Sequence, residues 1–81
     1  FPQVLMNVGV SEKLKVLREA KLKKAIERAK HALGESGRIL VRASGTESLI
    51  RVMVEGKNRD QITVVATDIV KTIGEINAKI S

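Results

Sequence analysis

An α+β fold is what this sequence predicts: a small antiparallel sheet with two helices on one face, in the order β-α-β-β-α. Three observations predict it. Two apolar, β-branched runs, 38–42 and 49–55, flank a short polar loop, which is the pattern of paired antiparallel strands. Ile62, Val65, Ile69, Ile73, Ile76 and Ile80 recur at gaps of three and four, the stripe of an amphipathic helix. Ala20, Leu22, Ala25, Ile26, Ala29 and Leu33 fit one face at the same period.

In chain order, Val4-Leu5-Met6-Asn7-Val8-Gly9-Val10 reads as the first strand, with Pro2 at its edge, where a missing N–H does no harm. A helix follows, starting at Ser11 as a cap or near Glu19; Leu14, Val16 and Leu17 are compatible with either start. Gly34 and Gly37 stop it. Arg38–Arg42 is the second strand and Leu49–Glu55 the third. In the third strand Ile50, Val52 and Val54 share one face, while Leu49, Arg51, Met53 and Glu55 share the other. One face therefore meets a core, and the other is partly open or covered by a partner. Gly56 ends the strand, and Asn58 or Asp60 caps the last helix. Gly74 costs that helix roughly 1 kcal/mol relative to Ala, so its last turns are expected to fray.

Composition bounds the function. Residues 1–81 form one domain, 43% hydrophobic and 30% charged, with Phe1 as the sole aromatic. Without Cys there is no disulfide or thiolate metal site, and His31 alone builds no His cluster, so it reads as a solvated helix residue. No apolar run approaches a membrane span, and residues 1–10 carry no signal-peptide pattern; a cytoplasmic protein without membrane contact is expected. The start at Phe1-Pro2 instead of Met suggests a piece of a longer chain. The net charge of +6 is concentrated in residues 11–30, where eight basic residues face three acidic ones. That segment reads as a solvated helix face.

Chemistry is concentrated in Arg42-Ala43-Ser44-Gly45-Thr46-Glu47-Ser48-Leu49-Ile50-Arg51. Two guanidiniums offer planar forks that match phosphate oxygens in pairs. Ser44 and Thr46 add hydroxyl donors, and Gly45 lets backbone N–H groups approach an anion. Glu47 would repel phosphate if aimed at it. It reads as a residue that fixes an arginine or the loop backbone, not as a general base. Arg51 is either a second guanidinium for the anion or half of a salt bridge to Glu47 or Glu55.

Arg42-x-Ser44-Gly45-Thr46-Glu47, followed by Ile50–Gly56, closely resembles the phosphate-binding loop in the C-terminal domain of the α-D-phosphohexomutases. Phe1-Pro2-Gln3-Val4-Leu5, with Asn7-Val8, and Gly37–Arg42 resemble the phosphoglucosamine mutase branch. The resemblance implies a TATA-binding-protein-like domain, the fourth of a four-domain enzyme that interconverts glucosamine 6-phosphate and glucosamine 1-phosphate through a bisphosphate. It implies a phosphoserine on the first domain, Mg²⁺ held by aspartates of the second, and sugar recognition by the third. Carried over by position, Arg42, Ser44, Gly45, Thr46 and Arg51 hold the substrate's phosphate, with Glu47 behind them; no catalytic or metal-binding residue falls on this chain. The Ser-His-Asn, Asp-Gly-Asp-Gly-Asp and Gly-Glu-x-Ser-Gly-His loops are missing from it, so the chain alone is expected to be inactive and to bind no cofactor. Its partners are then a phosphosugar and the other three domains. Ala43 and Ser48 stand where the family often has proline, which leaves the contacts possible and the loop looser.

Two other readings compete. The basic helix suits a nucleic-acid-binding module, but Phe1 alone forms no stacking platform and no helix-turn-helix or zinc-finger spacing occurs. No nucleic-acid partner is therefore expected. A protein-interaction module would use the face carrying Leu49 and Met53, which in a multidomain enzyme meets a neighbouring domain.

Overall fold

Three β-branched segments and two amphipathic regions resolve, in a computed structural model that describes residues 1–80, into six elements. They are β1 (Gln3–Gly9), α1 (Lys13–Arg18), α2 (Ala20–Leu33), β2 (Arg38–Ala43), β3 (Leu49–Glu55) and α3 (Arg59–Ile80). β2 and β3 form the expected antiparallel hairpin. β1 pairs antiparallel with the other edge of β3, so the sheet order is β1-β3-β2. The α+β class stands, with the helices on one face of the sheet.

The alternation in β3 fixes which face is buried. Ile50, Val52 and Val54 are fully enclosed. They are joined by Val4, Met6 and Val8 of β1 and by Ile39 and Val41 of β2. α3 lies over β1 and β3, and α2 packs beside it. The isoleucine stripe enters this core: Ile62, Ile69 and Ile73 have no exposed surface. Full burial of such a side chain contributes about 1.5–3 kcal/mol, so the stripe is the main reason α3 forms where it does.

Residues 11–33 form two helices, where one was expected. α1 ends and α2 begins at Glu19, which is extended (φ −65°, ψ 131°). The Glu19 carbonyl accepts from the N–H groups of Leu22 (3.1 Å) and Lys23 (3.2 Å) and so starts the second helix. The break has a packing cause. Val16 and Leu22 are both buried, yet six residues of one continuous helix would set them about 120° apart. Interrupting the helix lets both reach the core. Ser11 is not the cap. Its N–H and Oγ donate to Oδ1 of Asn77 on α3 (2.9 and 3.2 Å), while Glu12 occupies the N-cap position without a side-chain cap bond. α2 ends at Gly34, whose φ of 74° suits a residue without Cβ.

Asn58, not Asp60, caps α3: its Oδ1 accepts from the Gln61 N–H at 3.0 Å. α3 runs through Gly74 without a break and stays helical to Ile80. Burial of Ile76 and the Ser11–Asn77 bonds hold those turns, so tertiary contacts outweigh the local glycine cost. Among the described residues no helix is long and apolar enough to cross a membrane.

Candidate functional site

The sheet's open face carries three rows that cross all three strands. Gln3, Glu55 and Arg38 form one, Leu5, Met53 and Leu40 the next, and Asn7, Arg51 and Arg42 the third. The third row lies nearest the loop of residues 44–48. Arg42 and Arg51 are therefore direct antiparallel neighbours, and such Cα atoms sit about 4.5–5.5 Å apart. Both side chains are exposed, and among the described residues neither forms an ion pair. The alternative salt bridge from Arg51 to Glu47 or Glu55 is not made. Like charges placed opposite each other destabilise a sheet. The pair is a local cost that an anion would relieve.

The loop's own hydrogen bonds leave several of its donors unused. β2 takes in Ala43, so the loop proper starts at Ser44, which is buried although it is polar. The Ser44 N–H donates to the Leu49 carbonyl (3.0 Å), and the Ser44 Oγ accepts from the Glu47 N–H (3.2 Å). A regular strand pair would return a bond from Leu49 N–H to the Ser44 carbonyl. Instead Leu49 donates to the Glu47 carbonyl (2.9 Å), and the Ser48 carbonyl accepts from Val10 (3.0 Å). The carbonyls of Ser44 and Glu47 both accept from Nζ of Lys13, the latter at 3.0 Å. Three carbonyls are thus engaged from within. The N–H groups of Gly45, Thr46 and Ser48 donate to nothing among the described residues.

Each predicted residue has a place in this arrangement. Arg42 and Arg51 project from the open face beside the loop. Thr46 is exposed with its hydroxyl unengaged. Ser44 uses an oxygen lone pair to close the loop and keeps its own hydroxyl proton for donation. Glu47 holds the loop through its backbone N–H and carbonyl; its carboxylate makes no ion pair among the described residues. Gly45 has a negative φ, and a Cβ built on it would meet nothing within 4 Å. Nothing inside the domain requires glycine there. A requirement from outside would be the close approach of a ligand to its N–H.

Residues 5–72 match the family model described as phosphoglucomutase/phosphomannomutase, C-terminal domain. The chain belongs to that family. It is 52% identical over 62 residues to a phosphoglucosamine mutase of Hydrogenovibrio crunogenus, covering 76% of this chain and 14% of that protein. It is 49% identical over 77 residues to a phosphoglucosamine mutase of Pelotomaculum thermopropionicum, covering 95% of this chain and 17% of that protein. Its fold superposes with a TM-score of 0.79, at 24% sequence identity, on a chain from a structural study of Aspergillus fumigatus N-acetylphosphoglucosamine mutase. That match covers 94% of this chain and 16% of the other. The chain thus spans about one sixth of the length of these relatives.

Within this C-terminal domain, Lys13 of α1 is the residue bonded to the loop that sequence reasoning missed. It was one of eight basic residues read as a solvated helix face; the other seven are exposed, while Lys13 is half-buried. No local signal separates it from its neighbours, because its partners lie more than thirty residues away and are backbone atoms. Part of the remaining basic surface is neutralised by exposed pairs, Lys15–Glu12, Lys21–Glu75 and Lys30–Glu27. Among the described residues no three His, Asp or Glu side chains gather where they could hold a metal ion. A groove of about 760 Å³ between α2 and α3 shares no residue with the loop.

Proposed function

We propose that this domain holds the phosphate of a phosphosugar in a mutase that interconverts glucosamine 6-phosphate and glucosamine 1-phosphate through a bisphosphate. The observation that carries the proposal is the unpaired Arg42–Arg51 row set beside three unengaged backbone N–H groups. The names of the relatives support the substrate class. Arg42 and Arg51 supply charge and paired donors. Gly45 and Thr46 supply N–H groups, and Ser44 and Thr46 supply hydroxyl protons.

The domain positions and does no bond chemistry. Charge-assisted hydrogen bonds contribute about 1.5–3 kcal/mol each, while association costs at least about 4 kcal/mol. Three or four such bonds on one exposed loop give binding near −4 kcal/mol, a Kd of about 1 mM. Tight binding then requires other parts of the longer protein to close around the sugar, and the remote phosphate contact serves to orient the reacting end. Phosphoryl transfer and Mg²⁺ belong to those other parts, in a cytoplasmic enzyme of amino-sugar metabolism. The open face, where Leu5 is 68% exposed and Leu40 39%, meets one of them. The isolated 81-residue chain is inactive, and measurable mutase turnover by it would overturn that part of the proposal.

The direct test is an amide-shift titration of the chain with inorganic phosphate, glucosamine 6-phosphate and glucosamine. Shifts at residues 42–48 and 51 with both phosphates, and none with glucosamine, are expected. Shifts with glucosamine alone, or none with either phosphate at tens of millimolar, would refute a phosphate site on this domain.

A further inference from the structure

We propose that Lys13 is a positioning residue for the anion site, a strut that turns two loop peptide planes so that their N–H groups face outward. The inference rests on the phosphate-site reading above and adds a residue that touches no phosphate. A trans peptide is planar, and its N–H points opposite to its C=O. Lys13 Nζ gathers the carbonyls of Ser44 and Glu47. The N–H groups on the same two planes belong to Gly45 and Ser48. Both must then point away from Lys13, and neither has a partner among the described residues.

Lys13 approaches from α1, which lies in the helix layer with Val16 in the core. Away from Lys13 is therefore toward the open face, where Arg42 and Arg51 project. A side chain at 13 without a donor of this reach would leave the Ser44 carbonyl without its partner, since Leu49 N–H is already committed to Glu47. The Ser44–Gly45 plane would then be free to rotate, and its carbonyl could turn toward the anion. The strut makes Ser48 N–H a third outward donor, one that does not depend on the nature of the Ser48 side chain. It also supplies rigidity from a second element to a loop that lacks proline at 43 and 48.

The experiment compares the 81-residue chain with Lys13→Met and Lys13→Arg by ¹⁵N NMR. Residual dipolar couplings in the free proteins report the N–H directions at Gly45, Thr46 and Ser48, and a titration with inorganic phosphate reports the Kd. In Lys13→Met the couplings at Gly45 and Ser48 change while those of β2 and β3 do not. Phosphate binding weakens roughly tenfold, the equivalent of one hydrogen bond. Lys13→Arg, which keeps the donors, restores the couplings and binds within about twofold of the parent. Unchanged couplings in Lys13→Met overturn the strut, even if affinity falls, because the residue would then act only through its charge. Changed couplings with unchanged affinity overturn its link to binding. Absence of phosphate shifts in the parent refutes the underlying site, and the couplings of the free variant distinguish that failure from failure of the strut.

Discussion

Replacing Arg51 by Gln should make this domain more stable and less able to hold phosphate. Arg51 and Arg42 are opposed on adjacent strands with no acid paired to either among the described residues. Two unit charges about 7 Å apart in water repel by about 0.6 kcal/mol, within the range of about 0.2–1 kcal/mol measured for cross-strand pairs. For a domain of this size that corresponds to a rise of about 2–5 °C in Tm. Arg51→Gln also removes packing of the guanidinium stem, so the quantity to read is the coupling in a double-mutant cycle with Arg42→Gln. Thermal and urea unfolding of the four proteins at low salt should give a coupling of about 0.5 kcal/mol, the two charges opposing each other. It should vanish near 1 M NaCl, where the Debye length is about 3 Å. Phosphate at about 20 mM, against NaCl of matched ionic strength, should stabilise the parent by about 1.8 kcal/mol if Kd is about 1 mM, and the variants far less. A coupling of zero, one of opposite sign, or one that persists in 1 M salt would refute the argument that the sheet holds two mutually repelling guanidiniums side by side.

Three further outcomes are expected. Gly45→Ala should leave Tm unchanged or slightly higher, since its Cβ meets open space, while phosphate shifts are lost; retained binding would remove the case for close approach. Ser44→Ala removes the buried Oγ that accepts from the N–H of exposed Glu47 and should cost about 0.5–1.5 kcal/mol in urea unfolding. Gly74→Ala, at an exposed helical position with no atom within 4 Å of the new Cβ, should add about 1 kcal/mol without touching the loop titration.

Much of this domain was legible in its sequence, and the parts that were not share one physical origin. The stripe from Ile62 to Ile80 and the alternation Ile50, Val52, Val54 are periodic, and period alone assigns them to a helix and a strand facing one core. Arg42 and Arg51 were visible because the loop between them is short enough to force a hairpin. What escaped depends on contacts far apart in the chain. The break at Glu19 follows from where Val16 and Leu22 must both pack, which no local propensity records. Ser11 looked like a cap but bonds to Asn77, and Lys13 looked like solvated charge but bonds to the loop carbonyls. Ser44 was legible as a polar residue of the site, not as the acceptor that closes the loop.

The site's position in the sheet explains how an exposed loop can present fixed donors. β3 is the central strand, and Arg51 stands between Ile50 and Val52, neither of which has exposed surface. Its backbone cannot move without opening the core. Arg42 stands on the edge strand β2, between the half-buried Val41 and Ala43, and is held by one neighbouring strand only. The backbones that carry the two guanidiniums are therefore held unequally although they share a row, and backbone order parameters should be higher at 50–52 than at 41–43 in the free chain. Phosphate that bridges both residues should narrow that difference by raising order at 41–43. Equal order before phosphate, or a difference that phosphate leaves intact, would show that Arg42 does not share the anion with Arg51.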